Sequence, residues 1–337
     1  MPSLAQIRTV FFGSPWFALP SLEALHAAGA NLVGVVTQPD KPAGRGHRMT
    51  ASPVKTWAEQ HGLPVFQPKE LKKEESRAFL HELKPYLLVV VAYGKILPKE
   101  ALDLSKFGAV NVHASLLPKY RGPAPIPAAI LAGNTETGVT IMKLDEGIDT
   151  GPMLAQERVP IAPDDTTGTL SKKLAELGAQ ILIPTLEKYI RHELSPATRS
   201  LPSTLSSGSK GGEVWPAPQD DTQATVCRMI KKDDARIDWL KPAEFIARMV
   251  RAYDPWPGTY TTWNGRRLLI HRAAAVPASS TEDRLLPGAI TYDSAALKLG
   301  TGDGILFLKE LQLEGRKRLP ATEFLRGHPT LAGSVLG

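Results

Sequence analysis

The sequence predicts an α/β fold in two parts, a doubly wound and mostly parallel sheet followed by a small β-barrel of the oligonucleotide-binding type. Three observations carry this expectation. Short apolar runs alternate with amphipathic stretches through the first half, the composition turns linker-like near residue 200, and short β-rich segments separated by turn signals follow. The 337 residues also exceed the roughly 250 to 300 at which a single core stops growing, so two domains of unequal size are expected.

The predicted strands of the first part are Thr9 to Phe12, Leu32 to Thr37, Leu87 to Ala92, Ala109 to His113 and Val139 to Lys143. Between the first two, Leu19, Leu22 and Leu25 recur at helical spacing up to Gly29. A long helix is expected over Thr167 to Ile190, where Leu170, Leu174, Leu177, Ile181 and Leu182 share a face. From Leu194 to Gly212, six Ser, three Gly and two Pro in nineteen residues cannot pack and read as a linker. Beyond it, Thr259 to Trp263, Leu268 to His271, Leu297 to Leu299 and Ile305 to Leu308 read as strands, with turns at Asn264-Gly265 and Gly302-Asp303-Gly304. The expected division is therefore 1–193, a linker 194–212, and 213–337.

With 42% hydrophobic and 22% charged residues the chain is globular and not disordered. Its one cysteine, Cys227, can make no internal disulfide, which excludes a disulfide-stapled framework and suggests a reducing cytoplasm. Leu87 to Ala92 is the longest apolar run, far short of a membrane span, and Met1 to Pro20 makes a poor signal peptide. No membrane partner is expected. The net charge of +6 suits a polyanionic partner without requiring one.

The turn Phe12-Gly13-Ser14-Pro15 lacks the spacing of a dinucleotide fingerprint, and Gly208-Ser209-Lys210 lacks that of a phosphate loop. Asn111 and His113 are more informative. Two residues apart, they share one face near the C-terminal end of a parallel strand, where ligands of open α/β sheets bind. An amide and an imidazole converging there could serve an oxyanion or move a proton, or simply satisfy nearby backbone. In the loop Leu144 to Gly151, Asp149 could reach His113, although Asp and Thr there could equally cap their own turn. No calcium-loop or zinc spacing is present, and no metal is expected.

A basic loop runs from Gln38 to Arg48, with Lys55 beyond. Its Pro and Gly keep it out of regular structure, and Lys41, Arg45 and Arg48 could reach phosphates, unless the loop is simply solvated. Cys227 has no histidine near it in a nucleophile motif. His26, His61 and His81 sit in helical patterns as surface or packing residues, and Trp256 reads as a core plug at a rigid turn or, if exposed, as a contact for a partner.

Taken together, Asn111-Val112-His113, Ser115-Leu116-Leu117-Pro118 and Leu144 to Gly151 resemble the formyltransferases that use 10-formyltetrahydrofolate. Within them, Gln38 to Gly46, Val91 to Pro98, Ala235 to Trp239 and Pro255 to Pro257 resemble the methionyl-tRNA formyltransferase family, and the resemblance runs from about Ile7 to Leu325. It implies a Rossmann-like catalytic domain, a linker and a barrel that helps hold tRNA. It also implies formyl transfer to initiator methionyl-tRNA with 10-formyltetrahydrofolate as cosubstrate. By the same resemblance Asn111, His113 and Asp149 are catalytic. Ser115, Leu116, Leu117 and Pro118 contact folate, while Tyr93, Gly94, Ile96, Leu97, Pro98 and Asp145 flank the pterin. Arg45, with Lys41 and Arg48, meets the acceptor stem. Trp16, Ser14, Thr50-Ala51 and Pro127 depart from the family pattern, none at a catalytic position. A relative that formylates an amino-sugar nucleotide is the alternative, for which so long a basic loop would have no task. A cytoplasmic monomer is expected.

Overall fold

The computed structural model describes residues 3–43, 48–194, 215–276, 285–293 and 296–337. Its first part opens with β1 (Thr9–Gly13), α1 (Leu19–Ala27), β2 (Leu32–Val36), β3 (Lys41–Ala43) and β4 (Arg48–Thr50). There follow α2 (Pro53–Gln60), β5 (Val65–Phe66), α3 (Ala78–Leu83), β6 (Leu87–Val91), α4 (Lys99–Leu102) and β7 (Ala109–His113). The part closes with α5 (Pro125–Ala132), β8 (Glu136–Lys143), β9 (Met153–Pro160) and α6 (Thr167–Leu194).

Seven strands form one sheet in the order β5-β2-β1-β6-β7-β8-β9. The pairs β2/β5, β1/β2, β1/β6 and β6/β7 are parallel and β7/β8 is antiparallel, as a mostly parallel sheet requires. Every residue of β1, β6 and β7 is buried, which explains why these strands read as unbroken apolar runs and not as alternations. Strand β9 escapes such a reading because it is mostly exposed and carries Gln156, Glu157 and Arg158 mid-strand. The helix α2 starts where Ser52 accepts a hydrogen bond from the Lys55 amide and Pro53 takes the first helical position.

One correction concerns the basic loop. Its root is regular, because β3 and β4 pair antiparallel as a ribbon with Pro42 opposite Met49. A two-stranded ribbon has free edges, so a residue without an amide hydrogen is tolerated there. Arg45 lies outside the described residues.

Two compact units divide the chain. The first comprises Met1–Pro125, Thr137–Pro160 and Ser171–Cys227, and the second Ile126–Glu136, Ile161–Leu170 and Arg228–Gly337. The expected linker lies almost wholly outside the described residues, and the stretch after it, Trp215 to Cys227, belongs to the first unit. The reason is visible in its bonds. Trp215 donates its indole hydrogen to the Leu154 carbonyl at 2.9 Å, and Ala217 exchanges backbone hydrogen bonds with Met153.

In the second unit β10 (Tyr260–Trp263), β11 (Arg266–Val276), β12 (Ile290–Asp293), β13 (Ala296–Gly300) and β14 (Ile305–Leu313) form an antiparallel sheet in the order β10-β11-β14-β13-β12, with β15 (Leu319–Pro320) on β14. Asn264-Gly265 makes the two-residue turn between β10 and β11, as its sequence predicts. The last residues close this sheet into a small barrel. Gly337 exchanges backbone bonds with Thr262 of β10, while the Ile290 amide of β12 donates to Ser334 and Leu336 donates to Gly288. Helix Ala243–Ala252 packs on β11 and buries Ile246, Met249 and Val250. Trp256 is 53% exposed and so is not a core plug; the buried indoles of this unit are Trp239 and Trp263.

Among the described residues no helix is long and apolar enough to cross a membrane. The long α6 packs on β7 and β8, where Gly178 permits a close approach to Val112 and Val139. A Cβ at that position would sit 2.8 Å from Val112 Cγ1. Val112 points toward α6, so Asn111 and His113, its neighbours on an alternating strand, point to the other face. Gly178→Leu should therefore overpack this contact and cost about 1 to 3 kcal/mol, read as a lowered denaturation midpoint.

Candidate active site

Strand β7 delivers Asn111 and His113 to the sheet's C-terminal end with both side chains more than nine-tenths buried. Burial of an imidazole demands partners, and His113 has two. Its Nε2 lies 3.0 Å from the Tyr120 carbonyl oxygen, so Nε2 carries a hydrogen and donates it. Its Nδ1 lies 3.5 Å from Asp149 Oδ2, bringing together the imidazole and carboxylate that the sequence singles out. The same carboxylate oxygen accepts from the Gly122 amide at 2.8 Å. Asn111 differs from its neighbour, since its amide has no hydrogen-bond partner among the described residues.

The turn Tyr120-Arg121-Gly122 therefore holds both members of the pair, through one carbonyl and one amide. It is a strained turn. Tyr120 and Asp149 adopt left-handed φ values of 60° and 54°, and Ala92, at the end of β6, one of 48°. Three of the five described non-glycine residues with positive φ thus gather at this end of the sheet, a pattern typical of sites where geometry is over-determined. Gly122 itself takes φ 113°, and a Cβ there would come within 2.4 Å of the Cys227 carbonyl oxygen.

A second layer comes from the stretch Trp215 to Cys227. Arg121, 8% exposed, donates from Nε and Nη2 to Gln219 Oε1 at 3.0 and 2.8 Å, and Nη2 also reaches Asp221 Oδ1 at 2.6 Å. Gln219 Nε2 donates to the carbonyls of Asp149 and Gly151, each at 2.8 Å. The Tyr120 amide donates to Thr225 Oγ1, and Arg121 exchanges backbone bonds with Thr225 and Cys227. Tyr120, Arg121, Gly122 and Gln219 are the residues that sequence reasoning misses. Two of them act through backbone atoms, and Gln219 stands 70 positions from Asp149 in a stretch with no motif of its own. Cys227 is buried against the Arg121 carbonyl, and burial pushes its thiol up, which disfavours a nucleophilic thiolate.

The remaining expected residues divide into groups. Ser115 is fully buried and donates to the Lys119 carbonyl at 2.6 Å, while Leu117 is bound through its amide and carbonyl to Thr140 Oγ1 and Gln156 Nε2. The tetrad Ser115 to Pro118 is thus a braced turn beside Asn111 and His113. Tyr93 is a core residue whose ring meets Phe12 edge-on, and burial pushes its phenol up to about 12. Only its backbone carbonyl faces polar company, accepting from Gln38 Nε2 at 2.7 Å. Asp145 closes its own turn, accepting from the Gly147 amide and from Thr150 Oγ1 at 3.0 and 2.7 Å. A cleft of about 360 Å³ lies along Ile96, Leu97, Pro98 and Lys99 and is bounded by Glu146. The Lys99 ammonium stands 3.5 Å from Glu146, joining the two segments expected to flank the pterin.

The basic ribbon is rooted in a polar network at the same end of the sheet. Gln38 donates its amide hydrogen to Ser14 Oγ, and its side-chain oxygen accepts from the Lys41 ammonium. Asp40 is held by Lys55 at 2.8 Å and by Gln67 at 2.7 Å. Those hydrogen bonds lower the Asp40 carboxyl below its ordinary value, the bond from Lys55 being the larger cause.

Both parts of the chain match known families. Residues 7–186 match the formyl transferase family and residues 229–329 the formyl transferase C-terminal domain. A methionyl-tRNA formyltransferase of Chloroflexus aggregans is 46% identical over 323 residues, covering 95% of this chain and 97% of its own. One from Methylococcus capsulatus is 46% identical over 332 residues, covering 98% of this chain and 100% of its own. Among solved structures, the N-formyltransferase of Helicobacter canadensis in complex with folinic acid and dTDP-3-aminofucose superposes with a TM-score of 0.62 at 18% identity, covering 90% of this chain and 99% of that one, and shows the shared fold. Matched through both parts at this level of identity, the chain belongs to the methionyl-tRNA formyltransferase family.

Proposed function

We propose that this chain transfers the formyl group of 10-formyltetrahydrofolate to the α-amino group of initiator methionyl-tRNA. One observation carries the chemistry. At the end of β7 the Asn111 amide, without a hydrogen-bond partner among the described residues, stands on the same strand face as an imidazole that faces a carboxylate at 3.5 Å. The acceptor amine attacks the formyl carbon, negative charge gathers on the formyl oxygen, and a proton must pass from the attacking nitrogen to the folate nitrogen that leaves. Asn111, whose amide is free to bond, donates to that oxygen as the charge develops. Asp149 and His113 hold and move the proton. Their separation is longer than a formed hydrogen bond, and such pairs tighten when substrate closes the site.

The residues present fit a folate. The Asn111 amide is free to bond, and the cleft along Ile96, Leu97 and Pro98 offers an apolar face flanked by Lys72, Lys99 and Glu146. Tyr93, Gly94 and Asp145 then contribute through backbone path and turn shape, Tyr93 having its ring in the core and Asp145 closing its own turn. Lys41, Arg45 and Arg48 would meet tRNA phosphates, the Gln38 network holding the ribbon's root where it can reach from the site outward. The barrel unit would hold the body of the tRNA. A role in translation initiation places the reaction in the cytoplasm. An amino-sugar nucleotide acceptor has weaker support, since the sugar N-formyltransferase is 18% identical whereas full-length methionyl-tRNA relatives reach 46%.

Asp149→Asn should lower kcat for formyl transfer by about 100-fold or more while leaving folate affinity, measured by titration, nearly unchanged. Equal losses in both would remove Asp149 from the chemistry. Arg45→Ala should raise KM for methionyl-tRNA, reduce the slope of log affinity against log salt by about one, and leave folate binding intact. A salt slope equal to that of the parent would take Arg45 out of the tRNA contact.

A further inference from the structure

We infer that Gln219 is a positioning residue for the reaction, holding the Asp149 loop against the Tyr120-Arg121-Gly122 turn; the inference rests on the role of Asp149 proposed above. The two carbonyls it grips are that of the left-handed Asp149 itself and that of Gly151, two residues on. Its other end meets Arg121, whose neighbours in sequence supply the carbonyl against His113 and the amide against Asp149. Gln219 thus braces the two loops from outside the pair, beside the bond that the Asp149 carboxylate itself accepts from Gly122.

The chemistry fixes its orientation. Arginine has only donors and carbonyls only accept, so the amide oxygen must face Arg121 and the NH₂ group must face the two carbonyls. No other side chain of similar length satisfies both ends. A glutamate could keep the Arg121 contact, and gain charge there, but would set its second oxygen against the two carbonyl oxygens that now accept hydrogen bonds. Each carbonyl would lose a donor, and the loop carrying Asp149 would be pushed away from His113.

This difference separates positioning from bulk stability. Gln219→Glu, Gln219→Ala and Asp149→Asn are to be compared with the parent in the full chain, measuring kcat and KM for 10-formyltetrahydrofolate and methionyl-tRNA and the midpoint of thermal unfolding. The expected result for Gln219→Glu is a kcat about 10- to 100-fold lower, with both KM values within about twofold and an unfolding midpoint close to the parent's, since a displacement of about 1 Å at the reacting groups costs rate on that scale. Gln219→Ala should lose similar rate; should it fail to fold, Gln219→Glu alone decides. If Asp149→Asn loses its rate and Gln219→Glu keeps the parental kcat, the positioning role is overturned while the role of Asp149 stands. A Gln219→Glu protein whose kcat falls only together with its unfolding midpoint overturns it as well. If Asp149→Asn retains parental kcat, the catalytic reading itself fails and this inference with it.

Discussion

An imidazole placed on a strand buried on both faces must find an acceptor for its ring N–H, because a polar group left unpaired in such a place costs on the order of 1 to 3 kcal/mol. His113 meets that demand by donating from Nε2 to the Tyr120 carbonyl, while its Nδ1 faces the Asp149 carboxylate at 3.5 Å. Much of the surrounding structure follows from it. The chain leaving β7 must turn back within seven residues to present a carbonyl, and it does so through the braced turn Ser115 to Pro118 and a left-handed Tyr120. The β8–β9 connection must bring Asp149 to the other nitrogen, which requires a second left-handed residue and a glycine amide at Gly122 to share the carboxylate. Satisfying one buried ring has thus tied two loops into one fixed arrangement, and Asn111 inherits a rigid frame beside it.

How far this was legible in the sequence depended on which atoms do the work. Asn111, His113 and Asp149 could be singled out because a period of two and a glycine-bearing loop after a strand are patterns of side chains, and the pairing of His113 with Asp149 is seen in the structure. Tyr120 and Gly122 act through backbone atoms, which leave no mark on residue type. Gln219 acts through its side chain but from a separate stretch of chain, so only the folded structure brings it near. Tyr93 shows the converse: a residue in a motif whose ring belongs to the core while its carbonyl belongs to the Gln38 network.

The fold was readable on similar terms. Strands buried on both faces announce themselves, so β1, β2, β6 and β7 fell within a residue or so of expectation. Strand β9, exposed and charged, gives no alternation, and the two-residue β5 offers too little sequence for any pattern. The ribbon of β3 and β4 was obscured because Pro42 argues against a strand except where an edge is free. Helix Ala243–Ala252 carries apolar residues at Ile246, Met249 and Val250, a spacing that is visible in retrospect but short beside the β-rich segments around it. Trp256 misled because a large aromatic between prolines suggests a plug, whereas Trp239 and Trp263 fill that role.

The first compact unit is discontinuous in sequence, and its last segment, Ser171–Cys227, carries Gln219. During synthesis this has a temporal consequence. The strands that carry Asn111 and His113, and the β8–β9 connection that carries Asp149, can emerge well before the ribosome reaches Gln219, 70 residues later than Asp149, so the nascent sheet exists for a time without Arg121's partners or the brace on the Asp149 loop. At the roughly 5 to 20 residues per second of translation that interval lasts several seconds, and the catalytic geometry is completed only when the chain past Cys227 has been made. Folding of the sheet and maturation of its active end are therefore separate events along the polypeptide.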